Sequence, residues 1–469
     1  MEEIIMSFES SIISPRQVPD GLLKKYQRPG PRYTSYPTAP HFSAEADFDE
    51  IARRWKGSNG ENASDLSIYV HIPFCRGRCS YCGCHTVVGR DEASVGRYVD
   101  SVKSHADALL KLVAGSRPVG QMALGGGTPT YLTHAQMRDL IGALKSRFIF
   151  PDDGERSMEV DPRWIDEAYL DLLLELGFNR LSFGLQDLNE TVQRHVNRVL
   201  PFEKIERLMG HLKSQGMDAI NLDLIYGLPG QTPESFHKTV SQVVSLQPSR
   251  IALFGYAHVP WVSPHQKRLE QFGLPSTQER MELFGLAFEQ LVDAGYRHVG
   301  MDHFARQDDE LIQALDSRTL TRNFMGYTTR RGLDLVAMGA SGISSVAGTY
   351  AQNAKVLDEY VEGTGHRWIR GFAMSDEDRL RREVIMSLFC NFYLDIASVE
   401  GPFGISFKDH FADELVELAG FQEDGLLEVR EGEILVTDLG RFFVRNIAMT
   451  FDAYLKNETP SGARYSKTL

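Results

Sequence analysis

YVHIPFCRGRCSYCGCH, residues 69–85, carries four of the chain's five cysteines, Cys75, Cys79, Cys82 and Cys84, within ten residues. The stretch opens inside LSIYVHI (66–72), an apolar run of strand length, and turns at Pro73 into a C-x3-C-x2-C bend. Thiolates so close in sequence can converge on one inorganic centre. Three readings compete on the residues alone. The thiols could be unrelated and buried. They could form a structural zinc site drawing on all four cysteines. Or three of them could hold an iron–sulfur cluster whose remaining iron stays open to a ligand. The surroundings decide between these, so the reading moves outward from the bend.

Strand-like runs recur after the first: QMALGG (121–126), SMEV (157–160), RLSFGL (180–185), AINLDLIYG (219–227) and RIALFGY (250–256). Helical patterns such as SVGRYVDSVKSHADALLKLV and AQMRDLIGALKSRF separate them. Thr232–Pro233 reads as an N-cap followed by proline in the first turn, and Ser276 with Glu279 as a capping box. Repeated strand–helix units predict an α/β fold with a parallel sheet. Six units predict a partial (β/α)6 barrel of TIM type rather than the full eight. Function in such a sheet belongs at the C-terminal ends of the strands. The cysteine bend lies there, at the barrel mouth and not in a zinc ribbon, which favours the cluster.

The flanks differ in kind. Residues 1–56 are dense in proline, which forbids long helix. Tyr26, Tyr33, Tyr36 and Phe42 nonetheless give the segment the aromatic surface of an ordered arm. Residues 57–364 form the barrel, and 365–469 a smaller, mainly helical C-terminal domain. In that domain SDEDRLRREVIMSLFCNF, FKDHFADELVELAGF and LGRFFVRNIAMTFDAYL read as helices, and LLEVREGEILVT as a hairpin turning at Glu431–Gly432. Helices followed by a hairpin suggest a winged helix, but the acidic chain favours a packing lid over a DNA reader.

The 469 residues are 42% hydrophobic and 24% charged, with a net charge of −13. That balance excludes general affinity for nucleic acid or anionic membrane. MEEIIMSFESSIISPRQ lacks the basic start and apolar run of a secretory signal, and no apolar run reaches the length of a membrane span. An odd, clustered set of cysteines is no disulfide framework, so a reducing cytoplasm is expected.

LGGGTPTYL (124–132) follows the second strand, where glycines let backbone approach a ligand closely. Glu159 and Asp223 stand at strand ends, as helix caps or as carboxylates for ribose hydroxyls. Gln186 and Arg198, taken singly, are as well explained by packing or exposure.

With the C-x3-C-x2-C triplet, the aromatic before its last cysteine and GGGTP in hand, the chain resembles the radical S-adenosylmethionine (SAM) enzymes. RYTSYPTA (32–39), CGC, NRLSFGLQD, DLIYGLPGQ, GYAHVP (255–260), GMDHFAR (300–306), NFMGYTT and CNF (390–392) narrow the likeness. It is to the oxygen-independent coproporphyrinogen III oxidase family, over residues 20–455. The resemblance implies a [4Fe–4S] cluster on Cys75, Cys79 and Cys82, with Cys84 outside the ligand set. It implies two SAM molecules. The cluster-bound one would meet Tyr69, Gly126, Glu159 and Ile343. The second would meet Tyr81, Gly127, Thr128, Gln186, Arg198, Asp223 and Ala257.

It further implies decarboxylation of two propionates of coproporphyrinogen III to vinyl groups and a flavodoxin- or ferredoxin-type electron donor; an acidic chain of this size is expected to be a monomer. Within the same superfamily, a haem-binding chaperone and a haem-degrading methyltransferase are the alternatives. An anionic substrate calls for local cations. Lys24, Lys25, Arg28 and Arg32 in the arm, with His303 and Arg306, are the candidates, and the arm is expected to fold over the barrel mouth.

Overall fold

A computed structural model describes residues 13–363, 365–456 and 465–468. Residues 1–12, on which the leader reading mainly rests, lie outside the described residues.

The six expected strands are all present: β1 (Leu66–Ile72), β2 (Val119–Gly126), β3 (Glu155–Val160), β4 (Arg180–Gln186), β5 (Ile220–Tyr226) and β6 (Arg250–Gly255). They pair in parallel in chain order. Further along come β7 (Tyr296–Gly300), β8 (His303–Arg306), β9 (Asp334–Met338), β10 (Ile343–Val346), β11 (Thr349–Asn353) and β12 (Trp368–Ala373). The chain builds one 12-stranded sheet in the order β12-β11-β10-β9-β1-β2-β3-β4-β5-β6-β8-β7. β9 joins β1 in parallel, adding a seventh parallel strand. Short antiparallel strands extend both edges. The two outermost strands do not meet, so the barrel stays open.

Helices cover the outer face because each presents one apolar stripe. Met137, Leu140, Ile141 and Leu144 do so in His134–Lys145, and Ile205, Leu208, Met209 and Leu212 in Phe202–Ser214. The expected starts hold in detail. Thr232 accepts from the Ser235 amide at 3.1 Å. Ser276 and Glu279 exchange hydrogen bonds of 3.2 and 2.7 Å.

The N-terminal end of the barrel is plugged by charge rather than by apolar layers. Arg180 pairs with Glu155 at 3.1 Å and Glu310 at 2.6 Å, and Arg250 with Asp309 at 2.8 Å. Both of these guanidiniums have carboxylate partners, which makes burying their charges tolerable.

The flanks depart from the expected boundaries. Ile51 and Trp55, in helix Phe48–Gly57 of the arm segment, join the barrel core. Tyr26, Tyr33 and Tyr36 pack into a second core with the C-terminal helices, and that core also takes Val299 and Leu311 from the barrel segment. The arm's aromatics therefore seat on the C-terminal part more than over the mouth. The hairpin is Leu427–Arg430 with Glu433–Val436, extended to three strands by Tyr393–Asp395.

Two expected single helices are broken. One splits into Phe407–His410 and Ala412–Glu423, and the last into Gly440–Phe443, Val444–Met449 and Ala453–Lys456. Asp452 explains the final break. Its carboxylate caps the amides of Tyr454 and Leu455 at 3.0 and 3.3 Å and accepts from the Tyr33 hydroxyl at 2.9 Å.

Candidate active site

Pro73 ends the first strand and sends the chain across the barrel mouth. Neighbours hold the cysteine bend by its backbone. His265 Nε2 is hydrogen-bonded to the Cys82 carbonyl at 2.8 Å, Gln266 donates to the Tyr81 carbonyl at 2.8 Å, and Asn197 donates to the Arg78 carbonyl at 2.9 Å. The thiols then face a cavity of about 570 Å3 inside the barrel.

Cys79 is the most enclosed of the three. Arg163 and Arg198 each donate toward its sulfur at 3.6 Å, and Asp161 binds both guanidiniums, at 2.7 and 3.2 Å. Although burial works against its charge, the two cations hold the Asp161 carboxyl below the usual range. The Cys82 thiol falls to about 6, chiefly through its hydrogen bond with Cys84, while burial pushes Cys75 up to about 11. Cys75 shares a 3.5 Å hydrogen bond with the Thr128 hydroxyl.

Zinc would need ligands about 2.3 Å from a single ion. Among the described residues, no three His, Cys, Asp or Glu side chains are placed to hold one ion. Three thiols spread around one cavity, with guanidiniums at one of them, fit a polynuclear cluster anchored at separate corners.

The glycine ridge crosses beneath the bend. Gly126 has φ +112°, and a Cβ there would lie 2.4 Å from the His71 ring; at Gly127 it would lie 2.5 Å from the Pro73 carbonyl oxygen. The freed Gly126 amide donates to Glu159 at 3.0 Å. Asp223 accepts from Asn221 at 2.7 Å and Ser182 at 3.3 Å. Burial, helped by Glu159, raises its carboxyl to about 7. Gln186 is held in the left-handed region, φ +73°, with its side-chain oxygen buried and unpartnered. An orphaned acceptor facing the cavity fits a polar ligand such as SAM.

Of the residues assigned by resemblance, the three cysteines and Tyr69, Tyr81, Gly126, Gly127, Thr128, Glu159, Gln186, Arg198 and Asp223 line this cavity. Ala257 and Ile343 do not. Ala257 is exposed, its carbonyl taken by Gln266 at 3.2 Å, and it borders a neighbouring cavity. Ile343 packs against the Phe42, Tyr350 and Met374 cluster.

The cation candidates fare unevenly. Lys25 is paired with Asp424 at 2.5 Å and Arg32 with Asp302. Lys24 and Arg28 line neither cavity. Arg306 pairs with Asp218 at the opposite end of the barrel, because β8 runs antiparallel beside the start of β6. His303 does line the cavity, but burial, with Arg322 beside it, lowers its pKa to about 3, so it is neutral and no cation.

Asp161, Arg163, His265 and Gln266 escaped the sequence reading. Only the acid–proline–arginine triplet after the third strand could have flagged the first two. NFMGYTT was noted as a motif without a role. Its Asn323, Phe324 and Tyr327 reach the cavity from across the barrel.

Residues 69–243 match the family model described as the radical SAM superfamily, and residues 374–443 the one described as the HemN C-terminal domain. The chain is 45% identical over 443 residues to the oxygen-independent coproporphyrinogen III oxidase of Escherichia coli K12, covering 93% of this chain and 95% of that one. Identity to the enzyme of the same name from Pseudomonas aeruginosa is 41%, over 92% and 95% of the two chains. For Helicobacter pylori 26695 it is 39%, over 95% and 98%. The solved structure of the E. coli coproporphyrinogen III oxidase HemN, described as a radical SAM enzyme, superposes with a TM-score of 0.88 at 43% identity, over 93% of this chain and all of that one.

Proposed function

Because this chain belongs to the oxygen-independent coproporphyrinogen III oxidases, a family of radical SAM enzymes, we propose that its barrel cavity holds a [4Fe–4S] cluster and two SAM molecules for the family reaction. That reaction is the oxidative decarboxylation of two propionates of coproporphyrinogen III, in haem biosynthesis. Each propionate loses one hydrogen atom, one electron and carbon dioxide, and a vinyl group remains.

Cys75, Cys79 and Cys82 are the cluster ligands in this reading, with the Arg163 and Arg198 guanidiniums each donating toward the Cys79 sulfur at 3.6 Å. The cluster and SAM, when bound, supply one-electron reductive cleavage to a 5′-deoxyadenosyl radical that takes hydrogen. Glu159, which holds the Gly126 amide at 3.0 Å, and Tyr69 border the first SAM. Asp223, Gln186 and the Gly127–Thr128 turn receive the second. Raised to about 7 by burial, Asp223 is poised to share a proton with ribose hydroxyls. The ion-paired floor of Arg180, Arg250, Glu155 and Asp309 closes the chamber's far end against water.

The single observation that carries the reading is convergence: the thiol bend, the glycine ridge and residues from β3, β4 and β5, far apart in sequence, line one cavity. We also infer a monomer working in the cytoplasm with a flavodoxin- or ferredoxin-type donor and no nucleic-acid partner. The net charge of −13 supports the last point, and among the described residues no helix is long and apolar enough to cross a membrane.

The test is an oxygen-free assay with dithionite, SAM and coproporphyrinogen III. It should yield methionine, 5′-deoxyadenosine and protoporphyrinogen, and the reconstituted protein should retain two SAM equivalents on dialysis. Cys79→Ser should give none of these products. Full turnover by that variant, or one SAM per chain, would count against the reading.

A further inference from the structure

A second cavity, of about 370 Å3, lies beside the first, within the range of small-molecule sites. Strand alternation separates them. Asp223, Ile225, Ala252 and Phe254 face the barrel interior, whereas Tyr226 and Gly255, one position further on, face the second cavity. The arm, helix Thr277–Asp293 and the C-terminal part close it.

Its charge is unbalanced. Arg32, Arg280, Arg441, Arg445 and Lys467 border it; Asp302, the only carboxylate among its described lining residues, is paired with Arg32, and Arg441 has Asp438 at 3.4 Å outside the lining. Arg445, 5% exposed, donates to backbone carbonyls of Gly30, Pro31, Ser466 and Lys467 and meets no carboxylate. Arg280 stands out further: among the described residues its guanidinium has neither hydrogen bond nor ion pair.

Two glycines make room for Arg280. A Cβ at Gly227 would lie 3.0 Å from its Nε, and one at Gly255 3.2 Å from its Nη2. It also sits in the first turn of a 17-residue helix, where the helix dipole disfavours a cation. Stability does not explain an unpaired, partly desolvated guanidinium in that place; an anion in the cavity would.

Aromatic rings form one part of an otherwise mixed lining. Tyr226 and Phe284 stack at 5.1 Å with planes 23° apart, and Phe442 adjoins. Trp261, 58% exposed, forms part of the lip. We propose that this cavity binds a propionate-bearing tetrapyrrole outside the reaction chamber, with Arg280 as its carboxylate contact and the aromatic wall against its pyrrole rings. The choice of tetrapyrrole rests on the family reading; the separation from the chamber rests on strand alternation alone.

The probe is coproporphyrin III, which is fluorescent, carries four propionates and is already dehydrogenated. It is titrated into the full-length, cluster-reconstituted protein without SAM or reductant. Saturable binding is expected. Arg280→Glu should weaken it at least tenfold, Arg280→Lys less, and His303→Ala, inside the barrel, should leave it unchanged. Because Arg280 makes no bond among the described residues and an acid suits the first turn, Arg280→Glu should keep or raise the denaturation midpoint, separating lost binding from lost folding. No saturable binding, full affinity in Arg280→Glu, or loss on His303→Ala instead would overturn the proposal. The decarboxylation assay is independent: an enzyme that turns over yet fails here sinks this inference alone.

Discussion

Asp223 is a buried carboxyl whose burial costs stability. Burial raises its pKa from 3.8 to about 7, so between those values the folded state binds more protons than the unfolded one. Stability then falls as pH rises through that window and stays low above it. Asp223→Asn removes the titration while keeping an oxygen to accept from Asn221. Its unfolding free energy from urea titration should exceed that of the parent chain by a few kcal/mol at pH 7.5 and match it near pH 4. SAM retention should drop in the same variant. A variant no more stable at pH 7.5 would mean that Asp223 is already satisfied as an anion. Gln186 carries a related burden, being held at φ +73° with an unpartnered oxygen.

At the level of elements, helix starts were readable because a cap is written in four consecutive residues, as at Thr232 and Ser276. Helix breaks in the C-terminal part were not readable, because the agent is distant. Asp452 interrupts a good helical sequence by capping Tyr454 and Leu455, and Tyr33, some four hundred positions away, donates to the same carboxylate. Asp452→Ala removes two caps and a buried partner, and should cost about 2–4 kcal/mol by denaturant unfolding. Tyr33→Phe should cost less, since the caps survive. Equal losses in the two variants would place the whole effect in the hydroxyl contact.

For the whole molecule, the two cores cut across the chain. The arm and the C-terminal helices share one, and the barrel and helix Phe48–Gly57 the other. Deleting residues 1–30 therefore removes packing from the C-terminal core, Tyr26 above all, rather than an independent flap. The expected outcome is lost turnover, an iron–sulfur absorbance that survives, and a lowered midpoint of unfolding. Burying one aromatic side chain is worth about 3 kcal/mol or more. An unchanged midpoint would show that the arm is energetically separate from that core.

By itself the sequence determined the six-strand rhythm, the turn from first strand into thiols, and most of the motif residues that line the barrel cavity. Alternation, capping and motif spacing are local, and each is complete within a few positions. Only the tertiary structure decided which strand joins β1 from the far side, that Arg163 and Arg198 converge on Cys79, that His303 is buried beside Arg322, and that Arg280 has no partner among the described residues beside a second cavity. Those facts depend on which distant charges and surfaces meet once the chain closes on itself. A charge's meaning lies in its neighbours, and sequence order does not specify them.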